Sequence, residues 1–258
     1  MPERPYGADP LTPGEREALE DDLISFSERE LDLLGDLRGL DVLYAGGASP
    51  LWLEGLSQRI GEEGSLTALE ADAGRIREGR EVLGDAALAA PVRIVEGDVF
   101  EPPFGPRTFD LVYSAGLFHE LDVRERGADA ALAALVSVVK PGGRVATSDF
   151  VDTVPAVQLE DEELQADLAR ELSGARLYGI GPPERLVGLH EALLDGVRWH
   201  VSPPRQVRHL DRLVLAEGEA AGAGGRLRSR REALRERLRR EGYTRPATLY
   251  VEGLVPGG

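Results

Sequence analysis

Between residues 41 and 150 short apolar runs alternate with helix-like stretches, and this rhythm constrains the fold more than any other feature of the chain. The strand-like runs are Val42 to Ala45, Leu66 to Glu70, Val92 to Glu96, Asp110 to Ser114 and Arg144 to Ser148; the helix-like ones cover 51–60, 73–83 and 128–139. Short apolar runs bounded by turn residues suit strands buried on both faces. Strands separated by helical crossovers lie parallel with right-handed connections. The expectation is therefore an α/β fold, a doubly wound, Rossmann-like sheet of seven mostly parallel strands with helices on both faces. A ligand in such a sheet lies at the C-terminal edge of the strands.

The first strand runs into Tyr44-Ala45-Gly46-Gly47-Ala48-Ser49-Pro50 and then the apolar-periodic Leu51, Trp52, Leu53, Leu56 and Ile60. This is a strand passing through a small-residue turn into a helix, where backbone N–H groups suit a polar or anionic ligand group and small side chains let it approach. Glu70 ends the second strand about 20 residues beyond the glycines, a place from which a carboxylate can accept both hydroxyls of a ribose. Asp98 follows Gly97 after the third strand, where a carboxylate can accept from the exocyclic amine of a purine. The fourth strand, in Phe109-Asp110-Leu111-Val112, leads through Ser114 and Ala115 to Phe118-His119-Glu120-Leu121, and Lys140-Pro141-Gly142-Gly143 suits a tight turn feeding a central strand.

On these segments, over roughly residues 40 to 150, the chain resembles the class I S-adenosylmethionine-dependent methyltransferases, and within them the small-molecule enzymes of types 11 and 25. The resemblance implies S-adenosylmethionine as cofactor. It assigns the methionine end to the backbone of Tyr44, Ala45, Gly46 and Gly47, the ribose to Glu70 beside Ala71, and the adenine to Asp98 with Val99. Ser114 and Ala115 would face the transfer centre. The loop departs from the family pattern: Tyr44 stands at its acidic position, Ala48 at its second glycine and Pro50 at its third. The expected reaction is in-line displacement of a methyl group onto a small-molecule acceptor, which asks the protein mainly for alignment in a dry site. His119 is the candidate base for a hydroxyl or carboxylic acid acceptor; the other reading has it packing against or capping the next helix. A cofactor-binding regulatory protein of the same fold, or an aminocarboxypropyl transferase, is the alternative function.

Composition narrows the partners. A net charge of -16 in 258 residues repels phosphate backbones and anionic membrane surfaces, so neither nucleic acid nor membrane is expected. The chain has no cysteine, which excludes thiolate metal sites and thiol chemistry, and no clustered histidine spacing suggests a metal. No signal peptide or spanning segment is legible, so a soluble cytoplasmic protein is expected, and a homodimer is compatible with it.

The expected domains are an arm and cap helices over 1–39 and the cofactor-binding domain over 40–258, with its core at 40–150. In the first, Thr12-Pro13-Gly14-Glu15 opens a helix with Leu19, Leu23, Ile24 and Phe26 on its apolar face, and Glu28 to Leu37 forms a second helical piece. These helices cover one end of the sheet or act as a lid, with Tyr6 or Phe26 touching substrate. Beyond 150, helices are expected over 158–172, 183–194 and the arginine-rich 226–240. Strands are expected over 197–201, 212–216 and 247–255, and the pattern does not decide which of the last two reaches the sheet edge.

Overall fold

The structure, a computed structural model, describes residues 11–84, 86–121, 127–151, 156–173, 181–209, 224–241 and 244–257. Tyr6 and the strand expected over 212–216 lie outside the described residues.

Thr12 caps the first helix, α1 (Pro13–Asp32): the Glu15 amide donates to Thr12 Oγ1 at 3.4 Å and the Thr12 amide to Glu15 Oε2 at 2.8 Å. The separate helix expected from Glu28 to Leu37 is a correction. Residues 28–32 are the last turn of α1, and turns follow to Leu40. No helix-breaking residue stands between Phe26 and Leu34, and the first that does is Gly35, at φ +69°. The inner face also differs, since Leu19, Ser27, Glu30 and Leu31 are buried while Ile24 is 50% exposed. Ile24 lies two turns before Leu31 on the same side of the helix, and only Leu31 is covered by the apolar cluster that includes Leu53, Leu56 and Ile60.

The strands and helices that follow are β1 (Asp41–Ala45), α2 (Pro50–Ile60), β2 (Ser65–Glu70), α3 (Ala73–Gly84), β3 (Val92–Glu96), β4 (Phe109–Ala115), α4 (Gly127–Ser137) and β5 (Val139–Val151). After them come α5 (Ala156–Ser173), α6 (Pro183–Glu191), β6 (Asp195–Ser202), β7 (Arg205–Gln206), α7 (Gly225–Glu241), β8 (Thr244–Arg245) and β9 (Ala247–Leu254). The main sheet has seven strands in the order β3-β2-β1-β4-β5-β9-β6. The first five are mutually parallel, and β9 runs antiparallel between β5 and β6. The strand order reverses between β1 and β4, which opens a crevice at their C-terminal ends.

Alternation along each strand builds a core on both faces. Val42, Tyr44, Leu66, Ala68, Leu111 and Tyr113 meet Leu53, Leu56 and Ile60 of α2 and Leu31 of α1 on one side. Leu43, Ala45, Val112, Val145 and Leu249 meet Leu132 and Leu135 of α4 and Leu186 of α6 on the other. The strand expected over Arg144 to Ser148 is longer and takes in Pro141-Gly142-Gly143 as a bulge instead of following it. Phe109 pairs with Val139 but Leu111 with Arg144, and Gly142 stands at φ +76°. Lys140, the chain's sole lysine, ties β5 to Asp110 at 2.9 Å and Asp41 at 3.4 Å.

The arginine-rich α7 lays Leu227, Leu234 and Leu238 on Val157, Leu164 and Leu168 of α5, and Arg230 pairs with Asp167 at 2.8 Å. Its basic side therefore meets the acidic helix. No helix among the described residues is long and apolar enough to cross a membrane, and among them no group of three or more metal-ligating side chains is placed to hold a metal ion.

Candidate active site

A cavity of about 350 Å³ opens at the reversal point. It is lined by Tyr44, the loop from Gly46 to Pro50, Trp52, Glu70, Arg75, Glu78, Gly79, Ala115, Gly116 and Glu120. Gly46 adopts φ +82°, and a Cβ there would lie 2.5 Å from Leu117 Cδ1, so the loop requires glycine at this position. The amides of the two glycines are engaged within the fold. Those of Gly46 and Gly47 donate to Leu69 O at 2.9 and 3.1 Å, which straps the loop onto β2. What the loop offers is close approach, with Tyr44 stacked on Trp52 beneath it at a 6.4 Å ring separation.

Glu70 is 5% exposed; its Oε1 accepts the Asp72 amide at 2.8 Å, while Oε2 has no hydrogen-bond partner. A buried carboxylate oxygen left unsatisfied is costly, which marks the position as one shaped for a donor from a ligand. Of the other residues marked in the sequence, Tyr44, Gly46, Gly47 and Ala115 share this cavity. Ala45 points into the opposite core, as does Val99. Ala71 and Asp98 are exposed outside the lining, and Asp98 Oδ1 accepts the Phe100 amide at 2.9 Å. Ser114 is not among the residues lining the cavity. It is one residue out of phase with Tyr113 and Ala115 and donates to Thr147 Oγ1 at 3.1 Å, which in turn lies 3.2 Å from His190 Nε2. Burial pushes the His190 imidazole down to about 4.

His119 sits on a short 3₁₀ turn (Phe118–Glu120) held by the buried Asp149 of β5. Asp149 Oδ2 accepts the amides of Phe118 at 2.6 Å and His119 at 3.1 Å, and Oδ1 faces His119 Nδ1 at 2.9 Å. The carboxylate fixes the Nδ1–H tautomer and puts the imidazole lone pair on Nε2. The ring packs over Gly116 of the cavity wall, where a Cβ would stand 3.2 Å from its Cε1.

Sequence reasoning missed Asp149, Trp52 and Glu120. Asp149 continues the rule that found Glu70 and Asp98, an acid at the C-terminal end of a parallel strand. Glu120 is part of Phe118-His119-Glu120-Leu121, yet only the fold shows it entering the cavity beside Tyr44. Tyr44 occupies the place of the family's acid, and Glu78 and Glu120 bring carboxylates to the same cavity from α3 and the 3₁₀ turn.

A parallel sheet reversed at β1 and β4, with a glycine loop and a strand-end glutamate at the reversal, is the architecture of the class I S-adenosylmethionine-dependent methyltransferases. Residues 42–143 match the family described as a methyltransferase domain. The chain is 35% identical over 142 residues to the ubiquinone/menaquinone biosynthesis C-methyltransferase UbiE of Idiomarina loihiensis, covering 52% of this chain and 55% of that protein. It is 32% identical over 121 residues to the UbiE of Azotobacter vinelandii, covering 46% of each. The chain thus spans about half the length of the curated relatives it matches. Among solved structures, a cyclopropane-fatty-acyl-phospholipid synthase-like protein from Lactobacillus casei superposes with a TM-score of 0.65 at 14% identity, over 96% of this chain and 95% of that one. A SAM-dependent methyltransferase from Aquifex aeolicus gives 0.53 at 16% identity, over 93% and 98%. At those identities the structural likeness speaks for the fold.

Proposed function

We propose that the chain is an S-adenosylmethionine-dependent methyltransferase acting on a small molecule. The observation that carries this reading is the unsatisfied, buried Oε2 of Glu70 in the wall of a cavity bounded by the glycine loop. The cavity fits the cofactor's chemistry: a carboxylate for ribose hydroxyls, a loop that admits close approach, and acidic side chains for its positive charges. Glu70 holds the ribose, Asp98 with the backbone of Val99 holds the adenine at the end of β3, and Glu120 takes the place of the missing loop acid opposite the ammonium group. Bound there, S-adenosylmethionine supplies an electrophilic methyl on a sulfonium.

The chain's own residues do the rest. Tyr44 and Trp52 form a rigid aromatic floor, and Phe26 of α1 meets the edge of Trp52 at 6.3 Å, which helps exclude water. His119 takes the acceptor's proton at Nε2, and Asp149 stabilises the resulting imidazolium. We take 40–258 as the cofactor-binding unit and α1 as a wall of the acceptor site. Calorimetric titration of the folded protein with S-adenosylmethionine and S-adenosylhomocysteine tests the reading; micromolar binding is expected, and its absence would sink it. Release of methylthioadenosine in place of S-adenosylhomocysteine would reassign the protein to aminocarboxypropyl transfer.

A further inference from the structure

Between α1 and the β7–β8 ribbon lies a pocket of about 160 Å³, lined by Phe26, Arg29, Glu30, Arg205, Arg245 and Thr248 among others. It adjoins a second hollow of about 250 Å³ that shares Phe26, Arg29 and Arg205. Arg205 and Arg245 are direct partners across the ribbon, so two like charges stand opposite one another. Both guanidinium groups attract an anion placed between them. The pair is also unusual ground in a chain of net charge -16.

The pocket is built rather than incidental. The Arg245 guanidinium is clamped between the rings of Phe26 and Phe150, at 4.4 and 4.9 Å from their centroids. Arg29 Nη1 is steadied by Ser25 Oγ at 2.9 Å. Glu30, 3% exposed, lines the same pocket, and its Oε2 has no hydrogen-bond partner. Burial shifts the Glu30 carboxyl upward, against the pull of the Ser148 hydroxyl and then of Arg205 and Arg245, towards the neutral form that can donate to an oxygen.

The aromatic walls of the pocket also pack against the candidate chemistry. Phe26 touches Trp52 of the cofactor cavity, and Phe150 packs on His119 at 5.1 Å. Resting on the methyltransferase reading above, we infer that the acceptor is a small organic anion. Its carboxylate or phosphate lies among Arg29, Arg205 and Arg245, and its body runs along Phe26 and Phe150 towards His119.

The test is calorimetry on the full chain with benzoate, phenyl phosphate and the neutral benzamide, with S-adenosylhomocysteine titrated in parallel. At least one anion is expected to bind about tenfold or more tighter than benzamide, the range lost when a charged hydrogen bond is removed. Arg205→Ala should abolish that preference and Arg205→Lys restore part of it, with the melting temperature and S-adenosylhomocysteine affinity unchanged. Equal binding of benzamide, no anion binding at millimolar concentration, or an unaltered preference in Arg205→Ala overturns the inference. If the anions fail while S-adenosylhomocysteine binds, the pocket assignment falls and the methyltransferase reading stands. If S-adenosylhomocysteine fails and the anions bind, the acceptor role falls together with the methyltransferase reading.

Discussion

The two pockets on either side of Trp52 and Phe26 have opposite chemistry. The cavity at the strand ends sets Glu70, Glu78 and Glu120 against one cation, Arg75, while the pocket under α1 sets three arginines around the buried Glu30. Each contains a glutamate with one unpartnered oxygen. The difference lies in the neighbours. Glu70 has its other oxygen tied to the Asp72 amide, whereas Glu30 is driven towards neutrality by burial. The net charge of the chain predicts neither pocket, because a side chain responds to the few groups within reach and not to the molecular total.

The largest effect is expected at the candidate base beside the cofactor cavity. His119→Ala should lower kcat by about 10²- to 10⁴-fold with S-adenosylhomocysteine affinity intact. Asp149→Asn should lower kcat less and displace the acidic limb of the pH–rate profile, and an unchanged profile would reduce Asp149 to a structural cap.

Gly46→Val separates the pockets by damaging one of them. Strain at φ +82° and the clash with Leu117 should weaken S-adenosylhomocysteine by about 100-fold, since such strain and overlap cost several kcal/mol, while benzoate binding persists. Loss of both ligands together would show that the pockets form one unit. Glu70→Gln should cost about tenfold or more in S-adenosylhomocysteine affinity, the worth of a charged hydrogen bond.

His190 serves as a control insulated from both pockets. Its pKa is depressed from 6.5 to about 4, so below 6.5 the unfolded chain binds a proton that the folded one refuses. Stability from this group is whole above 6.5 and declines as pH falls towards 4, by about 2 kcal/mol at pH 5. Urea midpoints at pH 7.5 and pH 5 for wild type and His190→Gln should differ by that amount, with ligand affinities unmoved. The smallest effect is expected for Glu30→Gln. Because burial raises the Glu30 carboxyl, its ionisation destabilises the fold as pH rises above 4.5, and the substitution should flatten that loss without touching S-adenosylhomocysteine binding. A fall in stability at neutral pH would mean that Glu30 is ionised and paired with the arginines.

The parallel core was legible because its runs are apolar on both faces and its helices carry a different period. Glu70 was legible because an acid at a strand end needs no long-range knowledge to be placed. The phase of Ser114 was not, since a shift of one residue exchanges the two faces of a sheet and only the register with β5 fixes it. The extent of α1 and the bulge at Pro141–Gly143 depend on tertiary contacts in the same way.

By itself, then, the sequence determined the strand rhythm, the glycine turn, the strand-end acids and the methyltransferase likeness, all of which are properties of neighbours along the chain. Only the tertiary structure decided that Asp149 holds His119 from 30 residues away, that Glu120 enters the cavity near Tyr44, and that Arg205 comes to face Arg245. Those pairings are set by which strand lies beside which, and β9 and the β7–β8 ribbon bring distant residues together through backbone hydrogen bonds that carry no local side-chain signature.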